Sequence, residues 1–141
     1  MWPTTFDARL AAWNLLREQA ANCPPEQALE LVNSWWFRTP WTPYHLHWDD
    51  QAYWPDPWQM LSENIYCSLA RGLGIMYTIA LLDRDDISDA LLCECESDNL
   101  VLVSDRKYIL NWDKGTIVNI NPGTLHPRRR VDLRSIQHKI R

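Results

Sequence analysis

Hydrophobic positions near the N-terminus recur at helical spacing. Leu10, Ala11, Trp13, Leu15 and Leu16 suit one helical stripe, and Asp7 ahead of them suits an N-cap. Asn22 and the pair Pro24-Pro25 end this segment. Pro25 sits where a first-turn proline is tolerated, opening a second helix through Glu26, Ala28, Leu29, Leu31, Val32 and Trp35. The pattern predicts two short antiparallel helices.

Residues 37–55 break the periodicity. Pro40, Pro43 and Pro55 alternate with Trp41, Tyr44, Trp48, Tyr53 and Trp54. An aromatic-rich loop of this length is expected to pack down over a core edge. Its rings also suit a recognition surface, since Trp and Tyr are favoured at interfaces.

Helical spacing then returns. Asp56 suits an N-cap and Pro57 a first helical position, and Trp58, Leu61, Ile65, Leu69 and Leu73 form one apolar stripe. Gly72 and Gly74 are expected to stop this helix, making Asp56 to Gly74 a buried central element. The apolar run Ile75 to Leu82 reads as a buried strand and Arg84-Asp85-Asp86 as a turn. Ala90 to Glu96 and Leu100 to Val103 read as strands around a tight turn at Ser97-Asp98-Asn99. Tyr108 to Trp112 and Thr116 to Ile120 read as a hairpin around Asp113-Lys114-Gly115. Helices first and an antiparallel meander after them predict an α+β fold, with N-terminal helices and a buried central helix packed on the sheet. A single α+β domain is expected over residues 1–123, with a basic C-terminal arm or short helix over 124–141.

Charge reinforces that division. The first 123 residues carry 8 Lys and Arg against 17 Asp and Glu, and the remaining residues carry 6 against 1. An acidic body repels a phosphate backbone, which argues against nucleic-acid binding. The tail offers Arg128, Arg129 and Arg130, then Leu133, Ile136 and Ile140 on one face of a short amphipathic helix. It is equally suited to folding back on the acidic surface near Glu94, Glu96 and Asp98 and to docking on a neighbouring subunit. No apolar stretch reaches the roughly 20 residues that span a bilayer, and the N-terminus carries no secretion-signal pattern.

The four cysteines, Cys23, Cys67, Cys93 and Cys95, form no zinc-binding spacing and are expected to be reduced. Cys93 and Cys95 share a face of their strand but are badly placed to bond each other. His45-Leu46-His47 with Asp49 and Asp50 supplies two ligands on one face, too few for a metal site. The acidic run Asp83, Asp85, Asp86 and Asp89 lacks the Gly and terminal Glu of a calcium loop. No phosphate loop or nucleotide fingerprint is present, so no cofactor or metal is expected.

The stretch Leu69-Ala70-Arg71-Gly72-Leu73-Gly74-Ile75, with strands Ala90-Leu91-Leu92-Cys93 and Leu100-Val101-Leu102-Val103 behind it, resembles the transglutaminase-like cysteine peptidase superfamily. Trp54-Pro55-Asp56-Pro57-Trp58, Glu63-Asn64-Ile65-Tyr66-Cys67 and Tyr77-Thr78 are similar to small proteins of tailed bacteriophages, cyanophages and marine phages among them. In the superfamily a nucleophilic Cys opens the central helix, a His begins the next strand and an Asp ends the strand after. Matched along this chain, those places fall on Trp58 or Gln59, on Asp89, and on Val103 with Asp105 two residues on. All three roles are vacant there, so the resemblance implies the fold without the activity.

Cys67 is the alternative nucleophile. Placed some ten residues into a continuous helix, it lies beyond the reach of the helix dipole and opposite Trp58, and reads as a packing residue. The expectation is a non-catalytic protein acting through protein–protein contacts, with Trp41, Tyr44, Trp48, Tyr53, Trp54, Arg128, Arg129 and Arg130 as contact residues. Its partners would be other phage structural proteins or itself, in the host cytoplasm during assembly or in the virion. The alternative is a cysteine hydrolase or protease pairing Cys67 with His45 or His47, with His126 and His138 as further imidazoles.

Overall fold

A computed structural model describes residues 2–96, 98–103, 107–113, 116–118 and 126–140. Helix α1 (Phe6–Ala21) is capped by Thr5, whose hydroxyl accepts the Ala8 N–H; Asp7 sits in its first turn, not at the cap. Helix α2 (Pro25–Trp36) starts at the expected proline. The two pack on each other and on the element that follows.

That element differs from expectation. The segment from Asp56 is two helices, α3 (Pro57–Glu63) and α4 (Ser68–Leu82). The expected N-cap is present, and it is half of a capping box: Asp56 accepts the Gln59 N–H and Gln59 accepts the Asp56 N–H. Asn64 then turns the chain in the left-handed region, φ 60°, and ends α3. Tyr66 makes an isolated parallel bridge with Trp41, tying the proline-rich loop to the junction.

The second difference follows from the glycines. Ile75 to Leu82 is helix, not strand, because Gly72 and Gly74 are interior positions of α4 and do not stop it. A Cβ at Gly74 would stand 2.5 Å from the Trp36 ring, and one at Gly72 would stand 2.6 Å from Leu92 Cδ1. Each glycine admits a close neighbour, Gly74 the fixed Trp36 ring of α2 and Gly72 the end of a side chain from the sheet. The helix ends at Asp83, φ 50°.

The sheet comprises β1 (Ala90–Cys95), β2 (Asp98–Val103), β3 (Tyr108–Asp113), β4 (Thr116–Val118) and β5 (Arg129–Asp132), in the order β4-β3-β2-β1-β5. Every pairing is antiparallel. The α+β architecture, helices against one antiparallel sheet with α4 buried between them, is the one the sequence predicts. Ser97, Asp105, Lys114, Gly115, Ile120 and residues 121–125 of the expected turns and strands lie outside the described residues. The basic C-terminal segment folds back: β5 pairs with β1, then helix α5 (Leu133–Ile136) follows, burying Val131 and Ile136. Among the described residues no helix is long and apolar enough to cross a membrane.

Candidate functional site

The break between α3 and α4 changes the standing of Cys67. It lies at the N-cap of α4 and not inside a helix, and its Sγ accepts the N–H groups of Ala70 at 3.5 Å and Leu46 at 3.4 Å. A helix N-terminus with its unpaired N–H groups favours negative charge, so this is where a fold would present a thiolate. Trp58 does not take that place. It sits in the first turn of α3, edge-on to Trp13, and is partly exposed, as is Ile65.

Cys67 lines a cleft of about 330 Å³ together with Tyr44, His47, Trp48, Glu94 and Asn99. Arg129 crosses one wall, donating to Asp49 Oδ1 at 2.9 Å and standing 3.6 Å from Glu94 Oε1. Glu94 and Asn99 face each other across the β1–β2 pairing, at the sheet end that meets the start of α4. Behind Cys67, burial lowers the Arg71 pKa while the nearby sulfur acts the opposite way; Arg71 Nε donates to Thr39 Oγ1.

The other two positions matched from the sequence, Asp89 and Val103, lie away from Cys67. Asp89 lines a different cavity, of about 650 Å³, with Asp83 at the far end of α4; Val103 pairs with Ala90 at that same end. Beside Cys67, the residue near the start of a strand is Asn99 in β2, and the one towards the end of the next strand is Asn111 in β3. They form a stack. Asn99 Nδ2 lies 3.4 Å from the Ser68 hydroxyl and its Oδ1 accepts the Trp48 indole N–H at 2.8 Å. Asn111 Nδ2 donates to Asn99 O at 2.6 Å and to Ser68 O at 2.9 Å, with Asn111 held at φ 65° and its N–H on Asn33 Oδ1. Both of these strand positions carry neutral amides.

The remaining sequence candidates scatter. Trp48 and Trp54 are buried and pack edge to face at 5.5 Å. Trp41, Tyr44 and Tyr53 expose 59%, 71% and 87% of their surface, which separates the loop's anchors from its free rings. His47 shares the cleft with Cys67, its Nδ1 2.9 Å from the Tyr44 hydroxyl. His45 stands 3.9 Å from Glu63, while His126 is exposed and His138 lines a small separate cavity. Arg128 and Arg130 are exposed, and the Arg128 N–H donates to Glu94 O. Among the described residues no three His, Cys, Asp or Glu side chains gather as a metal site. Glu94, expected as acidic surface for the tail, does meet Arg129, but the sequence does not single out Asn99 and Asn111. Their one signal is that Asn is depleted in strands, so two of them at strand positions ask for a reason.

No protein-family model matches the sequence, and no curated protein matches it in sequence. In three dimensions the chain is similar to Legionella pneumophila LapG, with a TM-score of 0.67 and 14% identity over 89% of this chain and 75% of that one. The chain has the LapG-like, transglutaminase-like fold.

Proposed function

We propose that this is a non-catalytic protein of transglutaminase-like fold, which uses the cleft and the exposed loop beside it for protein–protein contacts. The Asn99–Asn111 stack carries the reading. Activating a thiol takes a base that can accept its proton and a group that orients the base. A carboxamide can orient an imidazole but cannot itself accept a proton at neutral pH, so neither Asn99 nor Asn111 supplies that base. The three exposed rings of the 37–55 loop supply the apolar contact area that interfaces favour. On the sequence resemblance, the partners would be components of a phage particle or a second copy of the chain.

One observation favours a second reading, a cysteine hydrolase. Cys67 opens α4, and His47 lines the same cleft. A thiol-directed probe at about pH 6 separates the two, since only an activated thiolate reacts quickly there. The non-catalytic reading expects Cys67 to be modified no faster than the half-buried Cys23. Fast, selective modification of Cys67 that is lost in His47→Ala would replace it with the hydrolase reading. For the contact surface, Trp41→Ala/Tyr44→Ala/Tyr53→Ala should abolish self-association measured by sedimentation, or capture of a particle protein, without lowering stability.

A further inference from the structure

The cleft beside Cys67 is unevenly charged. Two carboxylates, Asp49 and Glu94, line it against one guanidinium, Arg129. Arg129 is committed to the first. Its Nη1 donates to Asp49 Oδ1 at 2.9 Å, whereas its Nε stands 3.6 Å from Glu94 Oε1, too far for a hydrogen bond. Solvent sharpens the imbalance. The Asp49 side chain is 86% exposed and open to water, but that of Glu94 keeps only 21%. Among the described residues, Glu94 Oε1 is shut off from solvent and receives no hydrogen bond.

A carboxylate oxygen left without a donor is costly and asks for a reason, of which a bound donor is one. Glu94 cannot withdraw from the cleft wall. Its backbone is held in β1 between Asn99 of β2 and Arg129 of β5, and its carbonyl accepts the Arg128 N–H. A cationic donor suits the surrounding field, since the first 123 residues carry 17 Asp and Glu against 8 Lys and Arg. Tyr44, also lining the cleft, selects the donor's shape. Its ring is largely exposed, and its hydroxyl is tied to His47 Nδ1 at 2.9 Å. A planar guanidinium stacks on such a ring while aiming a fork of donors at a carboxylate, which a compact ammonium does less well.

We propose, building on the reading of this cleft as a contact site, that it takes an arginine side chain of the partner protein. The guanidinium donates to the Glu94 carboxylate and lies on the Tyr44 ring. The probe is a blocked tripeptide with one central arginine, titrated into the isotope-labelled protein and followed by NMR. The indole N–H of Trp48, which donates to Asn99 in the cleft wall, reports binding. Its signal should shift saturably. Glu94→Gln keeps the shape, removes the charge and should weaken binding about 10-fold or more. The neutral citrulline tripeptide, tested on the unaltered protein and so independent of any variant's folding, should lose a similar factor. Absence of a saturable shift, equal binding of the citrulline or lysine tripeptide, or unchanged binding in Glu94→Gln would overturn the proposal. Free L-arginine binding as tightly as the tripeptide would overturn the assignment to a partner chain. The contact reading fails separately. If the arginine tripeptide does not bind while Trp41→Ala/Tyr44→Ala/Tyr53→Ala still abolishes association, only the arginine pocket falls. If it binds and that triple substitution leaves association intact, the aromatic contact surface falls and the pocket stands.

Discussion

Thr78 Oγ1 accepts the indole N–H of Trp36 at 2.9 Å, deep between α2 and α4. The same oxygen accepts the Trp13 indole at 3.0 Å and donates its own proton to Gly74 O at 2.8 Å. One hydroxyl thus fills its whole capacity, one donor and two acceptor sites, and locks α1 and α2 to the central helix. Both indoles are fully buried. Thr78→Val keeps the shape and orphans both, so it should cost about 2–5 kcal/mol in denaturant unfolding, whereas Thr78→Ser should restore most of that. Equal stability of the Val variant would mean the indoles find water or other partners.

The glycines of α4 should respond unequally to alanine. At Gly74 the added methyl meets three atoms of a fixed indole ring within 2.7 Å. Overpacking of about 1–3 kcal/mol then outweighs the ~1 kcal/mol that alanine gains in a helix. At Gly72 the nearest atom is the end of the Leu92 side chain, which can rotate away. Gly72→Ala should therefore be near neutral and Gly74→Ala clearly destabilising in parallel urea titrations.

These two glycines also mark where the sequence misleads. Local signals specify the N-cap at Asp56, the proline start of α2 and the β1–β2 hairpin, and all of these form. A glycine pair after an apolar stripe carries the same local signal whether it stops a helix or admits an indole. The arbiter is Trp36, 38 positions away in sequence. The α3–α4 break is similar. Asn64 is an ordinary left-handed cap, but the stripe Leu61, Ile65, Leu69 runs through it, and only the Trp41–Tyr66 bridge shows what the interruption is for. Reading one continuous helix through that break hides Cys67 at a helix start. The Asn stack depends on pairings between β1, β2 and β3 that chain order does not reveal.

Burial pushes the Tyr66 phenol well above its ordinary value, against a smaller opposite effect of Arg9; burial and then the Asp56 carboxylate do the same for Tyr77. Each hydroxyl donates to a backbone carbonyl, Met60 O and Pro55 O. The folded values lie above the unfolded one near 10, so folded chains hold protons that unfolded chains release. This contribution is complete below about pH 10 and is lost as pH rises beyond it. Ultraviolet titration of the five tyrosines should show two that stay protonated past pH 11 until the chain unfolds. Simultaneous ionisation of all five in a still-folded protein would contradict the burial.

Removing residues 127–141 tests the folded-back tail. Burial of Val131 and Ile136 contributes roughly 1.5–3 kcal/mol each, and the edge of β1 would lose its partner strand. The exposed Arg129–Asp49 pair adds little. The truncated chain should lose several kcal/mol as a dilute monomer, in chemical denaturation read by tryptophan fluorescence. Val131→Asp should lose a comparable part of it, whereas Arg129→Ala should change stability by under about 1 kcal/mol.

An imidazole introduced in β2 would stand beside Cys67. Asn99 lies on the strand beside the start of α4, and its Oδ1 already receives the Trp48 indole N–H. In Asn99→His an imidazole nitrogen can accept that same N–H, leaving the second nitrogen to face the cleft shared with Cys67. A base placed there draws the thiol towards thiolate near neutral pH, where proton transfer by a positioned imidazole contributes about 100-fold or more. Modification of Cys67 at about pH 6–7 should therefore accelerate at least ~10-fold over the parent chain, with Cys23 unchanged as an internal reference and Cys67→Ser silent. Asn111 would still hold the backbone of residue 99 in place through its Nδ2. If Cys67 in Asn99→His reacts at the parent rate in a folded protein, Asn99 does not occupy the place of the family's imidazole.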